Sequence, residues 1–196
     1  MSSRIGPSDA DRYGWPDVPS GVLAETCTPI ARRIARAHVR TVGFLAAGRA
    51  LAGETSLAPF VAAVGEALLG FLSGDVGIVD SWPTWPWGEA LEKDDRSIFR
   101  QRRLAPRIVE LAPTPCGDPE AATVALQATL ARLPAGLAVT LLNLAGYAEP
   151  GVIPSAADHV ERTVVVVASR RTHVGGLVRM TRSLGQPKNL GVVLID

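Results

Sequence analysis

Residues 41–80 constrain the fold more than any other stretch of this chain. Thr-Val-Gly-Phe-Leu-Ala at 41–46 is a short apolar run that suits a buried strand. A loop follows at 48–56, then an apolar helical segment at 57–72 that Ser73-Gly74 ends. Val76-Gly77-Ile78-Val79-Asp80 is a second apolar run, closing on a carboxylate. Strand, loop, helix and strand in that order make the smallest unit of a parallel sheet, because parallel neighbours cannot be joined by a tight hairpin.

The rest of the chain repeats the alternation. Residues 22–39 read as a helix, with Val22, Leu23, Ile30, Ile34 and Ala37 on an apolar face. Arg32, Arg33, Arg36 and Arg40 crowd its C-terminal half, where cations suit the helix dipole. Prolines keep the loop at 82–88 out of helix and sheet. The charged segment 91–103 reads as an exposed helix, and its basic run at 96–103 as a solvated face or as a contact for phosphate or a membrane surface. Strands are expected at 107–111, 137–144, 163–168 and 190–195, and helices at 119–133, 153–159 and 172–184. The run at 163–168 holds four consecutive valines, the composition of a strand covered on both faces. The expected fold class is α/β: a doubly wound, mainly parallel sheet with helices on both faces, in three layers. Residues 1–20, rich in Ser, Gly, Pro and Asp, read as a flexible arm, and 21–196 as a single domain.

Composition removes several function classes. A net charge of +1 gives no electrostatic case for nucleic acid as a partner. Two isolated cysteines, Cys27 and Cys116, make no disulfide framework. His38, His159 and His173 show no ligand spacing, so no metal site is expected. The first residues lack an apolar signal core, and no run reaches about 18 uninterrupted apolar residues. The expected location is cytoplasmic.

The loop at 48–56 carries the chemistry. Gly48-Arg49-Ala50-Leu51-Ala52-Gly53-Glu54-Thr55-Ser56 has the frame G-x-x-x-x-G-K-[ST] of a phosphate-binding loop, in which backbone N–H groups cradle phosphates, Lys neutralises them and a hydroxyl holds Mg²⁺. Gly48, Gly53, Thr55 and Ser56 keep the frame, but Glu54 stands where Lys belongs. That exchange changes the local charge by two units, each worth roughly 4 kcal/mol at about 4 Å and an effective dielectric of 20. Glu54 is read either as a loss of triphosphate binding or as a carboxylate stabilising the start of the following helix. Lys93 and Lys188 are the only lysines, and neither is near the loop in sequence.

In order and register of motifs, residues 22–196 resemble the cytoplasmic domain of bacterial tyrosine kinases of exopolysaccharide synthesis, within the MinD/ParA-like P-loop ATPases. The loop at 48–56 matches their Walker A apart from Glu54, and 76–80 resembles the second Asp motif, so the resemblance implies that Asp80 would face Mg²⁺. Val139-Thr140-Leu141-Leu142-Asn143 falls where Walker B ends in Asp, and Asn143 brings no charge to a cation. Arg33 and Arg36 keep the Arg-x-x-Arg spacing of the family's subunit-contact helix, with Ile30 in place of its Glu. The closing segments 163–172 and 191–194 resemble the family's ending, with Ile195 near the adenine-side Asn. The family's C-terminal tyrosine cluster is absent, since Tyr13 and Tyr147 are the only tyrosines.

The expectation is therefore a catalytically degenerate P-loop protein that acts as a binding or regulatory subunit in exopolysaccharide synthesis or export. Two alternatives stand beside it: a weak ATP-binding switch, and a MinD/ParA-like scaffold in cell division or DNA partitioning. Gly48, Gly53, Glu54, Thr55, Ser56, Asp80 and Asn143 form a degenerate nucleotide site, expected vacant. No cofactor is expected, and ATP or ADP with Mg would bind only weakly. Trp82, Trp85 and Trp87 are expected either to contact a partner or to close over the site as a lid. With Arg33 and Arg36 they make up the expected partner-binding set. The implied partners are a second copy of the chain and a membrane-bound polysaccharide chain-length or export protein, which would place the domain at the inner face of the membrane.

Overall fold

The computed structural model describes residues 20–47, 57–80, 99–113, 119–145, 153, 155–168, 173–185 and 187–195. Helix α1 (Ser20–Ala37) leads into β1 (Thr41–Ala46), then α2 (Ala58–Leu68) and β2 (Asp75–Asp80). The hairpin β3 (Phe99–Ala105) and β4 (Ile108–Pro113) follows, then α3 (Pro119–Leu130) and β5 (Leu137–Asn143). A 3-10 turn (Ser155–His159), β6 (Arg162–Ala168), α4 (Val174–Leu184) and β7 (Asn189–Ile195) complete the described chain.

The strands form one seven-stranded sheet in the order β3-β4-β2-β5-β1-β6-β7. All neighbours are parallel except β3 against β4. The sheet is an α/β three-layer structure, as the alternation of apolar runs and helices requires. One apolar layer joins α1 and α2 to one face of the sheet through Ile30, Ile34, Phe60, Val64, Phe44, Ile78 and Leu141. The other joins α3, the 3-10 turn and α4 to the opposite face through Leu126, Ala157, Met180, Val79, Leu142 and Val165. Burial on both sides explains why β1 and β6 read as continuous apolar runs rather than alternating ones. Phe44 and Phe60 meet edge-to-face at 6.1 Å between centroids, a contact worth about 1 kcal/mol beyond the area it buries.

The segment 91–103 corrects the sequence reading. Phe99–Ala105 is a strand, not part of an exposed helix, and it pairs antiparallel with β4. Residues 91–98 of that expected helix lie outside the described residues. The chain turns at Pro106-Arg107, where proline's fixed φ suits the first central position of a turn, and Ala105 pairs with Ile108. An edge strand tolerates charge on both faces, so Phe-Arg-Gln-Arg-Arg-Leu-Ala shows no clean alternation. Arg107 then ties this hairpin to the end of α2. Its guanidinium donates to the carbonyls of Leu69, Leu72 and Gly74. The other expected elements lie within a few residues of their predicted bounds, and the short helix at 153–159 is the 3-10 turn.

Among the described residues no helix is long and apolar enough to cross a membrane.

Candidate functional site

The topology picks out one end of the sheet. The chain leaves β1 for α2 on one face and leaves β5 for the 3-10 turn on the other, and β1 and β5 are neighbours. In open α/β sheets the crevice at such a switch point, outside the carboxyl ends of the strands, is where ligands bind. The segment 48–56 connects that end of β1 to the start of α2. Gly48, Gly53, Glu54, Thr55 and Ser56 themselves lie outside the described residues, as do Trp82, Trp85 and Trp87.

Two expected site residues meet here. Asp80, the last residue of β2, pairs in register with Asn143, the last residue of β5. Asn143 pairs on its other side with Phe44 of β1. Asn143 is thus flanked by the Asp80 strand and by the strand that leads into the loop. It is 4% exposed. Its Oδ1 accepts the N–H of Ala145 at 3.1 Å, which turns the chain as it leaves β5. Leu144 N–H bonds to Phe44 O at 2.9 Å, so this exit is fastened to β1. Gly43 makes the close approach possible. A Cβ there would stand 2.5 Å from Leu144 Cδ1, inside any normal contact.

Asn143 offers a cation no charge, and one lone pair of its Oδ1 is taken by the Ala145 N–H. Among the described residues no group of three His, Cys, Asp or Glu side chains converges. Cys27 is buried in α1, and burial, helped by Glu66, pushes its thiol up to about 11. It stays protonated and unreactive at neutral pH.

Arg33 and Arg36 are on the C-terminal half of α1, toward the amino end of the sheet and away from Asp80 and Asn143. Arg33 donates to Leu190 O of β7 at 3.1 Å, a bond within the chain. Arg36 is exposed.

Several consequential residues gave little signal in the sequence. Arg107 looks like any arginine beside a proline until the hairpin brings it to three carbonyls. Glu110 of β4 is buried in the sheet. Thr140 sits in the middle of β5 at 1% exposure, and its hydroxyl has no hydrogen-bond partner among the described residues. A polar residue inside an apolar run was the only hint of either burial.

Comparison with known proteins agrees with this architecture at the level of fold. No protein-family model matches the sequence, and no curated protein matches it. Solved structures do. The BceF tyrosine kinase domain superposes with a TM-score of 0.61 at 13% identity, covering 89% of this chain and 76% of that one. The kinase domain of VpsO gives 0.57 at 13% identity, over 89% and 94% of the two chains. The chimerical protein CapA2B2 gives 0.58 at 16% identity, over 95% and 96%. At these identities the likeness is one of fold, and it places this chain's three-layer sheet beside those of bacterial kinase domains.

Proposed function

We propose that this domain is a catalytically degenerate member of the tyrosine-kinase-like P-loop fold, and that it works as a binding or regulatory subunit in exopolysaccharide synthesis or export. The observation that carries the reading is Asn143. It occupies the position beside Asp80 where a metal-directing carboxylate belongs, and its side-chain oxygen holds the β5 exit instead. Glu54 in place of the loop Lys points the same way, because phosphoryl transfer depends mainly on positive charge around the phosphates. The fold likeness to two kinase domains supports descent from an ATP-binding frame. A frame of that kind stripped of its charges keeps its shape and its surfaces, which suits recognition of a protein partner. The polysaccharide setting, a membrane-bound chain-length or export protein as partner, and a place at the inner face of the membrane rest on the family resemblance.

Titration calorimetry with Mg-ATP and Mg-ADP tests the proposal. The expected result is no saturable binding below about 1 mM, equivalent to less than about 4 kcal/mol of binding free energy. Micromolar binding that disappears in Asp80→Ala would overturn it, since Asp80 would then hold a working metal-nucleotide site.

A further inference from the structure

Among the described residues the two lateral edges of the sheet are built on opposite plans, and β7 pairs with β6 alone. Sheet edges invite pairing with other strands, and proteins guard them with charge, proline or bulges. β3 is guarded. It carries Arg100, Arg102 and Arg103, and its register slips between Arg103 and Ala105. β7, Asn-Leu-Gly-Val-Val-Leu-Ile, carries no charge and no proline. Its one irregularity lies at its start, where Asn189 Oδ1 accepts the Gly191 N–H and Arg33 holds Leu190 O. From Val192 onward the strand is regular against β6.

The side chains follow the same plan. Leu190, Val193 and Ile195 pack against the α1 layer. Val192 and Leu194 point to the other face and are 42% and 64% exposed. That face also carries α4, whose Val174 and Val178 are 73% and 38% exposed. These two lie one helical turn apart on one side of α4. Val192 and Leu194 are thus apolar side chains left exposed along an edge strand, the combination that marks a sheet edge as a pairing site.

We propose that the β7 edge is a docking surface for a second copy of this chain, β7 against β7 across a two-fold axis. An isologous antiparallel contact sets the central residue against its own copy and each other residue i against a residue j, so several like charges on one strand are crowded against the same set on its partner. β7 has none, which makes it complementary to itself, whereas the arginines of β3 would repel their own copies. The dyad makes the two strands antiparallel, the arrangement that closes straight backbone hydrogen bonds and joins two seven-stranded sheets into one. The chain's own first nineteen residues are a poor alternative. Gly6, Pro7, Gly14, Pro16 and Pro19 interrupt them, and the longest run between is Ser8-Asp9-Ala10-Asp11-Arg12-Tyr13, too charged to cover Val192 and Leu194. Edge-to-edge pairing of one short strand falls at or below the lower end of specific interfaces, about 1,200 Å², so the dimer is expected to be no tighter than micromolar. This inference is independent of the nucleotide reading and survives its failure.

The test is sedimentation equilibrium of the full chain from about 1 µM to about 500 µM, a range bracketing a micromolar dissociation constant. A monomer–dimer equilibrium is expected, weakened roughly tenfold or more in Leu194→Lys and Val192→Lys. Both sites are exposed, so the variants should fold, and circular dichroism checks that they do. Arg103→Glu on the other edge should leave the equilibrium unchanged. A monomer throughout the range overturns the proposal, as does a dimer indifferent to both lysine variants. Dimerisation that appears only after removal of residues 1–19 also overturns it, by making that segment the occupant of the edge.

Discussion

The two outer strands of this sheet are each fastened to the body by an arginine, and the difference between the fastenings shows what each edge is for. At the β3–β4 side, Arg107 is half-buried and reaches three carbonyls of the connection between α2 and β2, so the hairpin is tied to that connection. At the β7 side, Arg33 is exposed and reaches one carbonyl, at the very start of the strand. The first edge is charged, bulged and tied down. The second is tied at its root only, and the four residues beyond are uncharged and regular. One edge is finished as a boundary and the other is left as a surface.

Three substitutions measure how far that contrast extends into stability. Arg107→Ala is expected to cost most, about 3 kcal/mol by urea denaturation, because three carbonyls lose a charged donor at once. A loss under about 1 kcal/mol would mean that the hairpin is held by β4–β2 pairing alone, and the contrast between edges would weaken. Gly191→Ala is expected to cost about 2 kcal/mol. Gly191 sits at φ +149, which L side chains rarely adopt, and an added Cβ would stand 2.7 Å from Arg33 Nη1. A cost larger than that of Arg107→Ala would show the β7 root to be the tighter fastening. Arg103→Ala should change stability by less than about 0.5 kcal/mol. Its pair with Asp75 at 3.4 Å is exposed, with side-chain exposures of 57% and 33%. A larger loss would give β3's charges a structural duty beyond guarding the edge.

The contrast between the edges also explains which sequence expectations held. Interior strands were legible because burial on both faces demands continuous apolar residues. Thr41–Ala46 is a strand over the very residues expected, and the valine run is the core of β6. The edge strand β3 stands where a helix is expected, because Phe-Arg-Gln-Arg-Arg-Leu-Ala carries no clean period-two alternation. Pro106 marks a turn but not the Gly- or Asn-containing type that signals a two-residue hairpin, so the pairing of β3 with β4 is not written in the local sequence. At the site, Asp80 and Asn143 were both named from sequence, but their adjacency depends on β5 inserting between β2 and β1, a strand order that local patterns do not encode.

The sequence by itself therefore determined the class of fold. Apolar runs of strand length alternating with helices can bury their faces only in layers. Strand order was decided by the tertiary structure alone, and with it the meeting of Asp80 with Asn143, the reach of Arg107, and the exposure of Val192 and Leu194. These depend on which elements come to lie side by side. Non-local packing decides that, because a residue's neighbours across a sheet are set by crossovers of dozens of residues and not by the residues beside it in the chain.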